Sequence, residues 1–217
     1  MKSKEFMIEG RNHPVIVVDV QPDYCYGQHQ STCKRIINFV VKQTGPVLMF
    51  VNAEESGVSN DTLEDIYNWW DEIAGIDHER LEYDEEYNGP IDWKRFTVVD
   101  KGYGHFRSWM DRGDDPAVII KVIREMYKQR VNDSRDLYDG EDSPDYVEDM
   151  RQLIGKSFRE FDLDDSLIVN WTSVAQLKQF DGAYIVGGGR NQCLREVELL
   201  MNAFNIRYKR IDSLVYG

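Results

Sequence analysis

The first uninterrupted apolar run is Val15-Ile-Val-Val, continued through Asp19 to Val20, and its β-branched residues on both parities suit a strand buried on both faces of a parallel sheet. Comparable runs recur at Val47–Val51, Phe96–Asp100, Leu167–Asn170, Tyr184–Val186 and Tyr208–Ile211. Between them the period changes. Ser31–Lys42, Leu63–Ile73, Pro116–Val131, Ser173–Phe180 and Gln192–Ala203 place apolar residues at helical spacing. Asn60 or Asp61 is expected to cap the second of these helices, Ala74-Gly75 to end it, and Pro116 to open the third. Alternating strands and helices predict an α/β fold of three layers, α/β/α and Rossmann-like, around a mostly parallel sheet of five or six strands. Val15–Val20 and Tyr184–Val186, apolar throughout, are expected to be interior strands. One stretch breaks the rhythm. Residues 132–165 are acidic and turn-rich, with one short helical pattern at Tyr146–Ile154, and are expected to form an insertion within a single domain spanning 1–217.

Composition narrows the function classes. With 41% hydrophobic and 12% aromatic residues the chain can bury a core, so disorder is excluded as its general state. A formal charge of −13 repels a phosphate backbone, and no nucleic-acid partner is expected. The apolar runs are too short to span a bilayer, and Met1-Lys-Ser-Lys-Glu-Phe lacks the apolar centre of a signal peptide; a cytoplasmic protein without membrane partners is expected. Cys25, Cys33 and Cys193 make an odd count, which argues against a disulfide framework and for a free thiol. Cys25, His29 and Cys33 recur every fourth residue and, with Asp23, would suit zinc if the segment were helical. Pro22 and Gly27 oppose that helix, and no metal is expected. Trp69-Trp70 at helical positions mark core or a contact with a second copy of the chain, which leaves a homo-oligomer open.

In an open parallel sheet ligands bind beyond the carboxyl ends of the strands, so the residues that follow each apolar run are the ones to inspect. They include Asp19 and Gln21, Asn52 and Glu54, Asp100 and Lys101, Asn170 and Trp171, and Gly187-Gly-Gly-Arg-Asn-Gln-Cys193. The glycines allow a tight turn and close approach of main chain to a ligand. Cys193 falls in the first turn of the following helix, where the helix dipole and unpaired N–H groups favour a thiolate. Against this stands the plain alternative that Cys193 is a small buried apolar residue.

The set Asp19, Lys101 and Cys193 supplies a base, a cation and a thiol from the ends of three strands. With Val17-Val-Asp19-Val-Gln21-Pro-Asp-Tyr, Val99-Asp-Lys101-Gly-Tyr-Gly-His-Phe106 and Gly187–Cys193, the chain resembles the isochorismatase-like hydrolases. That resemblance implies Cys193 as nucleophile, Asp19 as general base and Lys101 as the cation that orients it. It implies a non-proline cis peptide near Gly188-Gly189 and an oxyanion hole in the same loop. Gln21, Gly188, Gly189, Arg190, Asn191, His105 and Asn170 would then contact a small-molecule substrate carrying an amide or related C–N bond. A second register sets Asn170 where the family has its lysine. The metal-binding Asp and His of the nicotinamidases are replaced after the second strand by Asn52-Ala-Glu-Glu, so the expected chemistry needs no metal and no cofactor. The chain also resembles proteins of large tailed phages, which would place it in a bacterial host cytoplasm.

Two other readings use the same residues. Ala183-Tyr-Ile-Val-Gly-Gly-Gly followed by a helix and Tyr208-Lys-Arg-Ile-Asp212 is similar to a dinucleotide-binding unit, in which the glycine loop and Arg190 would hold a phosphate without chemistry. The chain could also keep the hydrolase fold while being catalytically silent.

Overall fold

A computed structural model describes residues 12–53, 59–75, 91–100, 110, 113, 115–133 and 175–217. Five strands lie in one sheet: β1 Val15–Val18, β2 Val47–Val51, β3 Phe96–Asp100, β4 Ala183–Gly187 and β5 Tyr208–Val215. Their order is β3-β2-β1-β4-β5 and every pair is parallel. The expected α/β class holds, and β1 and β4 are interior. The run Leu167–Asn170 and residues 134–165 of the expected insertion lie outside the described residues.

Alternation along the strands divides the core in two. Val15, Val17, Val47, Met49 and Val51 face one layer, in which α1 (Gln30–Val41) contributes Cys33, Ile36, Ile37 and Val40, and α2 (Leu63–Ala74) contributes Ile66 and Trp70. Ile16, Val18, Leu48 and Phe50 face the other, built from Ile119, Val122 and Ile123 of α3 (Pro116–Asp133) and Leu194, Val197, Leu200 and Met201 of α4 (Cys193–Ala203). Apolar positions spaced by three and four fix each helix on the sheet, and both faces of β1 are therefore dry. Trp70 is core, and its indole N–H donates to Val20 O at 2.7 Å. Trp69 is half-buried against the same layer.

The α2 cap differs from expectation. Thr62 accepts from Asp65 N at 3.1 Å and Asp65 accepts from Thr62 N at 3.0 Å, a reciprocal capping box. Asn60 and Asp61 are taken elsewhere: the Asn60 side chain donates to Asp23, and Asp61 accepts from Gln21 and from Asp23 N. Gly75 closes the helix in the left-handed conformation, φ 94°. At the far end of α4, Arg124 Nε donates to Ala203 O at 2.6 Å and thereby satisfies a terminal carbonyl.

β1 is shorter than the sequence suggests and β5 is longer. Asp19 leaves the strand with φ 54°, which stops regular pairing although its N–H still reaches Phe50 O at 2.9 Å. β5 continues past Ile211 because its register against β4 slips: Ile185 faces Arg210 whereas Gly187 faces Val215. This irregularity carries Tyr216 to the carboxyl edge of the sheet.

Candidate functional site

The sheet changes direction at β1. The chain proceeds from β1 to β2 on one side and returns to β4 on the other, so the loops after β1 and β4 diverge and leave the crevice where open α/β sheets bind ligands. Val18 pairs with Gly187, and Gly188 N donates to Val18 O at 2.8 Å. Asp19 and the glycine loop that leads to Cys193 thus start from adjacent points of one edge.

Asp19 is 3% exposed, and its left-handed main chain is a conformation that residues with a side chain seldom adopt. Its Oδ1 accepts from Asn52 Nδ2 at 3.2 Å, and its main-chain carbonyl accepts a short hydrogen bond from the Tyr216 hydroxyl. Asn52, just after β2, is buried, and its Oδ1 has no hydrogen-bond partner among the described residues.

Gln21 is wholly buried and is consumed by the protein itself. Its Oε1 accepts from Asn52 N at 2.9 Å, while Nε2 donates to Asn52 O at 2.8 Å and to Ser59 Oγ and Asp61 Oδ2, both at 3.0 Å. It continues the β1–β2 pairing with a side chain and fixes Asn52. Asp23 ties the same loops by accepting from Asn60 N at 2.8 Å and Ser59 Oγ at 3.0 Å. The Asn60 N–H, aided by the Ser59 and Asn60 side chains and opposed by partial burial, holds the Asp23 carboxyl below its ordinary range.

The loop after β4 needs its glycines. Gly187 has φ 127° and abuts the Val18 main chain, and Gly188 lies under the Tyr216 ring, so a methyl group at either position would collide. A methyl at Gly189 would stand 2.9 Å from Cys193 N. Gln192 N donates to Gly189 O at 2.8 Å, Leu194 N reaches the Gly188 and Gly189 carbonyls, and α4 then begins at Cys193 itself. Cys193 is a half-buried thiol outside any disulfide, stands at that helix start and also packs against the core. No cis peptide occurs among the described residues, so the bond expected at Gly188-Gly189 is trans.

Arg190 is turned toward β5, with its guanidinium 3.8 Å from the Asp212 carboxylate and 3.4 Å from Val215 O. Asn191 is exposed beside it. Lys101, His105 and Asn170 lie outside the described residues.

Cys25 and Cys33 correct the expectation that the chain has no disulfide, whereas the one thiol outside any disulfide that the odd count led us to expect is Cys193. Cys25 and Cys33 form a disulfide, with Cα atoms 5.9 Å apart, that joins the loop after β1 to α1. The odd count misled because pairing depends on how the loop returns over the helix. The bond also removes the thiolates a zinc site would need, and no cluster of three potential ligands occurs among the described residues.

Tyr216 was not among the residues singled out from the sequence. It is 8% exposed; its N–H donates to Gly187 O at 3.1 Å and its O accepts from Arg190 N at 3.2 Å. Its hydroxyl lies 3.6 Å from Cys25 Sγ, and its ring stands 5.0 Å from that of His29. Burial, with lesser effects from the charges of Asp19, Cys193 and Tyr24, pushes its ionisation well above the ordinary value, so it stays a neutral donor. The carboxyl-end rule would have found it had β5 been carried past Ile211. A cleft of about 410 Å³ lined by Tyr67, Asp71, Trp93 and Phe96 lies instead against α2 and β3 and contains none of these residues. Compared with known proteins, the chain matches no family, no curated protein and no solved structure.

Proposed function

We propose that the chain is a metal-independent cysteine hydrolase of small amides or related C–N bonds, similar in plan to the isochorismatase-like hydrolases. One observation carries the reading: the β1–β4 register sets a buried carboxylate, Asp19, beside the loop that delivers a thiol outside any disulfide, Cys193, at a helix start.

In this reading Asp19 takes the proton from Cys193 Sγ as the sulfur attacks the carbonyl carbon. Charge that develops on the carbonyl oxygen is met by the positive end of the α4 helix dipole, at whose start Cys193 stands. The C–N bond then breaks, the leaving nitrogen takes the proton from Asp19, and a thioester remains. Water attacks the thioester, gives its proton to Asp19, and displaces the thiolate, which is reprotonated to close the cycle. Lys101 is assigned as the cation beside Asp19, with Asn170 as the alternative at that position. Asn52 holds the carboxylate, and Gln21 holds Asn52. Gly189, Arg190, Asn191 and His105 complete the substrate surface in this assignment, with Gly188 buried behind them under the Tyr216 ring.

The test is turnover on a panel of small primary amides and ureides, read as ammonia release. Cys193→Ala is expected to abolish it, and Asp19→Asn to lower it by about two orders of magnitude or more, the range for a general base. Turnover that survives Cys193→Ala refutes the reading. A second reading, phosphate or nucleotide binding by Gly187–Gly189 without chemistry, is favoured by the start of α4 directly behind the glycines. It predicts a thermal shift with nucleotides that Gly189→Ala removes. Neither turnover nor a shift would leave a catalytically silent hydrolase fold.

A further inference from the structure

We propose that Tyr216 is the positioning residue of this site: its buried hydroxyl holds Asp19 in the left-handed conformation while its ring sets the glycine loop that leads to Cys193. The inference rests on the Asp19–Cys193 reading and adds a component from the last strand.

Three features meet at this residue, two through its side chain and one through its main chain. Asp19 and Asn205 are the two residues other than glycine with positive φ among the described residues, and Asp19 alone of them lies at the carboxyl edge. A main chain in that region persists only when its surroundings hold it, and the Tyr216 hydroxyl bonds to the Asp19 carbonyl. On the other side, the ring occupies the space a side chain at Gly188 would need, and the Tyr216 main chain pairs with Gly187 O and Arg190 N. Tyr216 therefore contacts both loops, 197 positions from Asp19 in sequence and at the end of a strand whose register slips to reach it. Rotation of the Asp19 peptide would swing its carboxylate away from Asn52, and movement of Gly188 would shift the start of α4. A buried hydroxyl needs an acceptor wherever it lies; here that acceptor is the carbonyl of Asp19, the residue held at positive φ.

The experiment follows Cys193 alkylation by iodoacetamide against pH, under non-reducing conditions, in wild type, Tyr216→Phe, Asp19→Asn and His29→Ala. Tyr216→Phe keeps the ring and loses the hydroxyl. By letting the Asp19 carboxylate move away, it should raise Cys193 alkylation at neutral pH by about fivefold or more, the scale of one buried hydrogen bond, and move the profile in the direction that Asp19→Asn moves it. His29→Ala removes a ring from the face of Tyr216 and spares the hydroxyl, so its profile should match wild type. Should Tyr216→Phe fail to fold, Gly188→Ala, whose methyl would meet the hydroxyl end of the ring, should move the profile in the same direction. A Tyr216→Phe profile that superimposes on wild type while Asp19→Asn is displaced overturns this inference and leaves the hydrolase reading standing. Equal displacement by His29→Ala also overturns it, because general packing would then suffice. If Asp19→Asn leaves the profile unmoved, the hydrolase reading itself falls.

Discussion

The side chain of Gln21 and the main chain of Asn52 form a two-way hydrogen-bonded pair, Nε2 to O at 2.8 Å and N to Oε1 at 2.9 Å, where β1 has already ended. An amide side chain here replaces a peptide unit of the sheet. Gln21→Ala would leave a buried N–H and C=O of Asn52 without partners, and each such group costs about 1–3 kcal/mol. The expected loss is about 2–4 kcal/mol in urea unfolding, with the Asp19 environment altered as Asn52 loosens. A loss no larger than that of an exposed substitution would mean that water or another group replaces the pair.

Gly187 and Gly188 make different demands. A methyl at Gly188 meets a side chain that can shift, whereas a methyl at Gly187 meets the Val18 main chain at φ 127°, where L-residues are also strained. Gly188→Ala should cost about 1–3 kcal/mol, the usual range for overpacking. Gly187→Ala should cost more. Thermal unfolding of the two variants orders them, and the reverse order would contradict the placement of this loop.

The Cys25–Cys33 disulfide closes a short loop, with a sequence separation of 8. Loop-closure entropy for that length predicts that reduction, or a Cys25→Ser/Cys33→Ser double variant, lowers stability by about 2.5 kcal/mol. Non-reducing mass spectrometry should find one free thiol per chain, at Cys193. Three alkylated cysteines under those conditions would refute the pairing.

Acid should loosen two ties. Asp181 binds Arg207 through both carboxylate oxygens, chiefly by side-chain hydrogen bonds, and its pKa falls to about 2; that of Asp23 is also lowered, chiefly by the Asn60 N–H. A folded pKa below the unfolded value of 3.8 means stability that is present above 3.8 and lost as pH falls through the folded value. The urea midpoint should therefore drop as pH falls from about 5 to 2, and Asp181→Asn should remove part of that slope.

Much of the scaffold was legible because burial on both faces leaves a strong local mark. Val15–Val18 and Tyr184–Val186 are apolar on both parities, and both strands are interior. The end of β5 was hidden because Ile211-Asp-Ser interrupts the apolar pattern where the register slips, and with it went Tyr216. Thr62-Leu-Glu-Asp65 does carry the short-range form of a capping box, yet Asn60 and Asp61 compete for the same role until their bonds to Asp23 and Gln21 are known. Asp19 and Cys193 stood out because both follow apolar runs. The fixed role of Gln21 did not, since it depends on Asn52, Ser59 and Asp61, which lie 31 to 40 positions away.

The central claim is that Asp19 activates Cys193, and the pH dependence of Cys193 alkylation in the disulfide-bonded protein tests it most directly. An isolated thiol titrates near about 8.5. A neighbouring carboxylate raises that value and the start of a helix lowers it. Asp19→Asn removes the negative charge, so it should move the midpoint to lower pH and raise the alkylation rate at neutral pH by about fivefold or more, while amide turnover falls. A profile that Asp19→Asn leaves in place, or moves to higher pH, would contradict the account.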